Sequence, residues 1–360
     1  MRKISLFLAA ALLVSLMAGC AGTPVIYYSD CTCPTGSHDV PVAPQPQATQ
    51  PPVVAEGAVK TGLYIGAGVA ESKSAGEEAG EAKYDVTVAA VTVDDAGVIL
   101  SCYIDSIGTS VVFDATGAIT SDLSAEVLSK NELGENYGMK LYGNAKYEWN
   151  EQAAALASYA VGKTVEELKN GAVDETGHAV DADLASTATI YLGGYVAAIE
   201  GAVNNAQHLG AQAGDELRVA IICGAGSSKG ASAEAAGTAQ LDVDATALTM
   251  RDGVITSCYI DSLQGKVSFD AAGVITTDLS APLQTKNALG ENYGMKAWGG
   301  AIAEWNEQAA SFAAYVTGKT PAEVAGIAVN ESTKPAEADL AASVTISIGG
   351  FMALIAKAAQ

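Results

Sequence analysis

Apolar runs broken by turn residues occur in two parts of the chain and predict antiparallel strands. Residues 86–93 are rich in valine, turn residues follow at 94–97, and residues 98–105 form a second apolar run. β-branched runs separated by a short turn are typical of a hairpin. A second hairpin is predicted over residues 111–121, with its turn at Ala115-Thr116-Gly117. We therefore expect a mostly antiparallel sheet.

Further along, the apolar spacing becomes helical. Apolar residues recur three or four positions apart, which places them on one face of a helix. In the two parts of the chain these residues are Trp149, Ala153, Leu156 and Ala160, and Trp305, Ala309, Phe312 and Val316. Gly162 and Gly318 follow where a helix C-cap is expected. Capping boxes at Thr164 and Thr320 predict a further helix, and Gly-Gly pairs at 193–194 and 349–350 lead into a last one.

The two parts are copies of one sequence. At an offset of 156 positions, residues 101–150 and 257–306 share 32 identities in 50, including an unchanged octapeptide at 133–140 and 289–296. Two units of this size are domains and not solenoid repeats. The sequence predicts an α+β fold with two tandem homologous domains, 61–208 and 216–360. Each is expected to have a mostly antiparallel sheet packed by about three helices.

The N-terminus has the pattern of an exported protein. Arg2 and Lys3 precede an apolar run at 4–16 that is too short to span a membrane. Small residues then lead to Cys20, and this resembles the lipobox of bacterial lipoproteins. The resemblance implies a signal peptide at 1–19, a diacylglycerol anchor on Cys20 and a position on the extracytoplasmic face of the cell membrane. An ordinary secretory signal with an incidental cysteine is the alternative.

Residues 20–60 are predicted to be a tether. Seven of the ten prolines of the chain fall between Pro24 and Pro52. Such a stretch favours extended polyproline-II conformations and acts as a semi-rigid spacer. Cys31 and Cys33 also lie here. Because only one residue separates them, a relaxed disulfide between them is unfavourable, and we assign them no function.

Composition excludes some classes of function. The formal net charge is −22, from 41 acidic and 19 basic residues. Nucleic acid would be repelled, because its phosphates need basic partners. The chain has only three histidines and no Cys-x-x-Cys motif, so neither haem attachment nor a dedicated metal site is expected. We also see no nucleophile with a matching base, and therefore predict no self-contained enzyme.

Two segments before the last helices are candidates for cofactor chemistry. The first is Asp183-Leu184-Ala185-Ser186-Thr187-Ala188-Thr189, and its counterpart runs from Asp339 to Thr345. The first resembles the flavinylation signal of FMN-binding-domain proteins, which include one component of the sodium-pumping NADH:quinone reductase and Gram-positive electron-transfer lipoproteins. Thr187 stands where that signal has glycine, and the second copy departs further.

The resemblance implies a flavoprotein. A flavin transferase would attach FMN through a phosphoester to Thr189, or to Thr345 in the second copy, with Asp183 and Asp339 as the acidic residues of the signal. The protein would relay electrons from a membrane quinone oxidoreductase to external acceptors. The alternative is a surface binding or scaffold lipoprotein that has the fold without the flavin.

The second candidate is the octapeptide with the two residues that lead into it. Lys130, Asn131 and Tyr137, and their counterparts Lys286, Asn287 and Tyr293, either line a ligand site or form a purely structural loop. The sequence leaves both interpretations open.

Overall fold

The structure is a computed structural model that describes residues 57–360. The predicted signal peptide, Cys20, Cys31, Cys33 and the tether up to residue 56 lie outside the described residues. Within 57–360, no helix has the length and hydrophobicity needed to span a bilayer.

The first repeat has three strands and six α-helices within this described part. Its strands are β1 (Lys60–Gly68), β2 (Gly80–Val93) and β3 (Ile99–Phe113), paired antiparallel in the order β1-β2-β3. Its helices are α1 (Lys130–Leu133), α2 (Met139–Gly143), α3 (Trp149–Ala160), α4 (Val165–Ala172), α5 (Ala182–Thr187) and α6 (Gly193–Asn204). A 3₁₀ turn, Gly134–Tyr137, joins α1 to α2.

The second repeat has the same order of elements. Its strands β4 (Glu216–Gly224), β5 (Gly237–Arg251) and β6 (Val254–Phe269) form a separate antiparallel sheet. Its helices are α7 (Lys286–Leu289), α8 (Met295–Gly299), α9 (Trp305–Val316), α10 (Pro321–Ala325), α11 (Ala338–Ala341) and α12 (Gly349–Ala358). The expected α+β architecture is confirmed: there are two three-stranded antiparallel sheets, each packed by helices.

The two sheets pack face to face and share one core. Alternate residues of a strand point to opposite faces, and on β2 Val86 and Val88 face the other sheet whereas Ala89 and Val91 face the helices. At the centre, the rings of Phe113 and Phe269 stack with centroids 4.0 Å apart. Each sheet contacts the helices of its own repeat on its outer face. The layers are therefore helix, sheet, sheet, helix.

Several local predictions are confirmed. The hairpin turn at 94–97 joins β2 to β3, although both strands are longer than expected. All eight stripe residues of α3 and α9 are buried. Gly162 and Gly318 have the positive φ of a C-cap, 81° and 86°, and both predicted capping boxes are formed. β1, which pairs with residues 85–93 of β2, was not predicted.

The second predicted hairpin is only partly formed. Its turn exists, with the Gly117 N–H donating to the Asp114 carbonyl at 3.0 Å. Beyond the turn a single bridge joins Phe113 to Ile119. The Ser121 hydroxyl accepts the Val112 N–H, at 2.7 Å, where a paired strand would supply a carbonyl. The prediction of a second strand at 118–121 was wrong for this reason.

The hairpin turn of the second repeat is one residue shorter than that of the first. Val93 pairs with Ile99, and Met250 pairs with Ile255. β5 therefore corresponds to β2 at an offset of 157 positions, while β6 keeps the offset of 156 from β3. By this register Asp244 corresponds to Thr87.

Candidate functional site

The octapeptide segments are fixed to the sheets by a buried aspartate. The Asp105 Oδ1 atom accepts the N–H groups of Ser106, at 2.8 Å, and Asn131, at 3.1 Å. The Asn131 side chain donates to the Ile104 carbonyl at 2.9 Å. Asp261, Asn287 and Ile260 repeat this arrangement at 3.1 Å and 2.9 Å. Both asparagines thus hold the loop on the sheet.

A buried glutamate fixes the other end of the same loop. The Glu148 carboxylate accepts the N–H groups of Met139, at 2.8 Å, and Lys140, at 3.0 Å. Glu304 does the same for Met295 and Lys296, at 2.8 Å and 3.0 Å. Sequence reasoning missed this pair of glutamates, although the shared Glu-Trp-Asn-Glu segment was a signal for them. Each of these buried carboxylates is satisfied by the backbone N–H groups that it accepts. Their role is therefore structural.

The lysines before the octapeptides lie between two aromatic rings. The Lys130 Nζ atom is 5.1 Å from the centroid of Tyr137 and 5.2 Å from that of Trp149. The Lys286 Nζ atom is 5.4 Å from Tyr293 and 4.9 Å from Trp305. These are cation–π distances. In each repeat the structure therefore places the lysine ammonium between a tyrosine ring and a tryptophan ring.

The candidate flavin-attachment threonines are held by a buried glutamine. The Gln152 Oε1 atom accepts the N–H groups of Thr189, at 2.7 Å, and Ile190, at 3.2 Å, and the Thr189 hydroxyl at 3.2 Å. Gln308 holds Thr345 and Ile346 at 2.8 Å and 3.2 Å. The segments after α5 and α11 are thus loops whose N–H groups bond to a side chain. The glutamines were not predicted.

The acidic residues of the proposed signal are not the hydrogen-bond partners of these hydroxyls, which bond to the glutamines. Asp183 and Asp339 are exposed in the first turns of α5 and α11. Thr187 ends α5 and donates to the Leu184 carbonyl at 3.0 Å. Neither Thr187 nor Ser343 has a positive φ, so this position does not require glycine.

In the second repeat the Thr345 loop and Lys286 meet at a cavity of about 290 Å³, called here the Lys286 cavity. Its lining consists of Asp244, Lys286, Trp305, Ile346, Ser347, Gly350 and Phe351. Of the site residues predicted from sequence, only Lys286 lines it. Thr345 directly precedes the lining residue Ile346. Asn287 bonds to the strand, and Tyr293 contacts the lysine.

The two charged groups of the Lys286 cavity are not paired. Among the described residues, no carboxylate oxygen lies within 4.0 Å of the Lys286 Nζ atom and no cation lies within 4.0 Å of Asp244. Burial lowers the pKa of Lys286, and the charges of Asp244 and Asp242 only partly offset it. Burial likewise raises the pKa of Asp244. A hydrogen bond from Ser262 lowers the pKa of Asp244 in part, but burial has the larger effect, so both shifts have the sign expected for charges removed from water.

A polar network lies behind the cavity. The Asp242 carboxylate accepts hydrogen bonds from Ser227, at 2.6 Å, from Gln240, at 2.7 Å, and from Gln264, at 3.1 Å. The Tyr293 hydroxyl donates to Gln264 at 3.3 Å. Asp242 therefore has its own donors, and the network fixes the tyrosine that contacts Lys286.

Comparison with known proteins gives no relative. No protein-family model, no curated protein and no solved structure matches the chain. The function has to be argued from the site itself.

The geometry fits enclosed FMN poorly. Sites that enclose a drug-sized ligand have volumes of roughly 300–1,000 Å³, and the Lys286 cavity, at about 290 Å³, lies below that range. The Thr345 hydroxyl is also engaged with Gln308, at 3.2 Å. Thr189 differs in that its residue is exposed, so a flavin attached there would project into solvent.

Metal and thiol chemistry have no support in the described part of the chain. Residues 57–360 contain no cluster of three or more His, Cys, Asp or Glu side chains suited to a metal ion. Cys102, Cys223 and Cys258 are free thiols, and burial raises the pKa of each to about 12. Thiols of that pKa are poor nucleophiles at neutral pH.

Proposed function

We propose that this chain is a lipid-anchored, extracytoplasmic binding protein whose ligand site is the Lys286 cavity of the second repeat. One observation carries the proposal. A half-buried ammonium and a carboxylate open on the same cavity, and neither forms an ion pair with the other or with another described residue. Unpaired charges in a partly buried site are costly for folding, which points to a role in binding.

The first repeat keeps the frame of this site and has a different lining. Thr87 stands where the second repeat has Asp244, Tyr191 where it has Ser347, and Tyr195 where it has Phe351. The Trp149 indole N–H donates to the Tyr195 hydroxyl at 3.1 Å, a bond that Phe351 cannot replace. The first repeat lacks the carboxylate that would oppose Lys130. We assign it a structural role.

The position of the protein rests on its N-terminal sequence. The lipobox-like segment before Cys20 and the proline-rich stretch after it support attachment to the outer face of a membrane. Cys20→Ala should abolish lipid labelling of the protein in a bacterial host. Labelling that persists in this variant would overturn the anchor.

A thermal-shift screen over small carboxylic acids, amines and amino acids tests the binding function. A ligand present at 100 times its Kd adds about 2.7 kcal/mol to the free energy of unfolding, which is readily seen as a rise in Tm. The hit should act on the wild type and on Lys130→Met, and should fail on Lys286→Met. Hits that stabilise all three proteins equally would place the ligand site elsewhere.

A surface electron carrier is the second candidate function, and the exposed side chain of Thr189 favours it. In this proposal FMN is attached to Thr189 by a separate transferase, and the flavin supplies the redox chemistry. Co-production with an active flavin transferase should then add about 438 Da per site and absorbance at about 450 nm. The addition should be lost in Thr189→Ala. An unchanged mass with the active transferase would reject the carrier.

A further inference from the structure

The charges that line the Lys286 cavity restrict the class of ligand, on the premise that the cavity is the ligand site. A ligand with only an anionic group would be attracted by Lys286 and repelled by Asp244, with Asp242 close behind it. A ligand with only a cationic group would be attracted by Asp244 and repelled by Lys286. A molecule that carries both charges on neighbouring atoms satisfies both side chains at once, because each buried charge then gains an opposite partner.

Two apolar side chains, Phe351 and Ile346, also line the cavity. Phe351 is buried and lies edge to face against Trp305, with ring centroids 5.7 Å apart and planes at 79°. Ile346 adds an aliphatic contact on the same cavity. The face of Trp305 is also approached by the Lys286 ammonium, at 4.9 Å. This leaves Phe351 and Ile346 as the surface against which an apolar group of the ligand would pack.

The size of the cavity limits the ligand further. About 290 Å³ lies just below the roughly 300–1,000 Å³ of sites that enclose drug-sized molecules. A single small zwitterion fits this volume, whereas a peptide of several residues does not. Ser347 and Gly350 complete the lining, and the Ser347 hydroxyl hydrogen-bonds to the hydroxyl of Thr333.

We infer that the Lys286 cavity binds a free α-amino acid with an apolar side chain. The α-carboxylate lies against Lys286, the α-ammonium lies against Asp244, and the side chain packs on Phe351 and Ile346. No bond is made or broken. This inference rests on the proposed binding function and adds to it the class of ligand.

The burial of the two charged groups supports the same arrangement. In the free protein, burial lowers the pKa of Lys286 and raises that of Asp244. An amino acid that supplies an opposite charge to each would move both pKa values back, since a neighbouring opposite charge favours the charged form. Binding should therefore be accompanied by proton uptake at the lysine or release at the aspartate when either is partly neutral.

Isothermal titration of the whole protein with three related probes tests the inference. L-Phenylalanine carries both charges, 3-phenylpropionate lacks the ammonium, and phenethylamine lacks the carboxylate. We expect L-phenylalanine to bind wild type, and each analogue to bind roughly tenfold more weakly or worse. Asp244→Asn should remove the preference for L-phenylalanine over 3-phenylpropionate. Lys286→Met should remove its preference over phenethylamine, and Lys130→Met should change neither.

The possible failures are distinct. Equal affinity of L-phenylalanine and one analogue for wild type, with loss of both in Lys286→Met, would overturn the amino-acid assignment and leave the cavity as the ligand site. Binding that Lys286→Met and Asp244→Asn leave unchanged would overturn the site as well. No binding of any of the three probes to folded protein, together with a hit of another class in the thermal-shift screen, would overturn the inference alone.

Discussion

The two repeats have the same frame and different sites. In both, a buried aspartate and asparagine fix the start of the octapeptide, a buried glutamate fixes its end, and a buried glutamine holds the loop before the last helix. These residues are identical in the two copies. Three of the residues that line the Lys286 cavity are not: Thr87, Tyr191 and Tyr195 correspond to Asp244, Ser347 and Phe351. The two copies thus share the scaffold and part of the lining, and these three positions set the second site apart.

This contrast changes how the octapeptide is interpreted. Its unchanged sequence made it a candidate ligand loop, yet most of its hydrogen bonds serve to hold the loop on the sheet. Only the lysine before it reaches the cavity. A duplicated chain can keep one fold in both copies while one copy alone carries function, because function depends on a few side chains placed on the fold.

The shared core should give the largest effects, and equal ones in the two repeats. Phe113 and Phe269 are fully buried and stack on each other between the sheets. Phe113→Ala and Phe269→Ala should each lower the free energy of unfolding by about 3–5 kcal/mol. Trp298→Ala, at a residue that is 90% exposed, is the control and should have little effect.

Denaturant unfolding, followed by tryptophan fluorescence and by circular dichroism, measures these changes in the free energy of unfolding. Because the core contains residues of both sheets, the two signals should report one transition. Separate transitions for the two probes, with only one moved by Phe269→Ala, would show that the repeats unfold independently.

The buried aspartates predict how stability depends on pH. Burial raises the pKa of Asp261 to about 6, despite the hydrogen bonds that it accepts from Thr285 and from the Asn287 N–H. The folded state therefore binds a proton more tightly than the unfolded state. The contribution of protonated Asp261 to the free energy of unfolding is complete below about pH 4 and is lost as pH rises through about 6. This change amounts to up to about 3 kcal/mol.

Asp261→Asn should remove this slope between pH 4 and 6. Burial raises the pKa of Asp105 in the same direction, so Asp105→Asn should also flatten the profile. Urea unfolding at a series of pH values would measure the free energy of unfolding of each variant as a function of pH. A stability that rises between pH 4 and 6 and keeps that rise in Asp261→Asn would contradict the sign.

Lys286 should show the smallest effect on stability and the opposite sign. The unpaired, half-buried ammonium costs free energy in the unliganded protein, and methionine keeps contact with the rings of Trp305 and Tyr293. Lys286→Met should raise the free energy of unfolding by about 1 kcal/mol while ligand binding is lost. Lys130→Met is the matched control. A large destabilisation by Lys286→Met would mean that the lysine is structural in both repeats.

Much of the fold could be predicted from the chain, since it depends on local patterns. The stripe of Trp149 and Leu156, the capping box at Thr164 and the turn at 94–97 each follow from neighbours in sequence. β1 was missed because its residues, Lys60–Gly68, include three glycines and lack a clear alternation. Gln152 was missed because its partners lie 37 positions away.

The site was harder to predict for a geometric reason. At the offset of 156, Asp244 would match Val88, which faces the shared core. The shorter turn before β6 moves the register by one residue, and a shift of one residue moves a side chain to the other face of a strand. Asp244 consequently faces the cavity and not the core. Only the strand pairing reveals this.

If the second repeat alone binds the ligand, one spectrum can show it. Trp149 and Trp305 occupy matching positions in the two repeats, and Trp298 is exposed as a reference. In ¹⁵N-labelled protein each indole N–H gives its own signal, assigned with single Trp→Phe variants. On titration with L-phenylalanine, the Trp305 signal should shift and saturate while those of Trp149 and Trp298 stay in place. A saturating shift of Trp149, alone or together with Trp305, would show that the first repeat also binds the ligand.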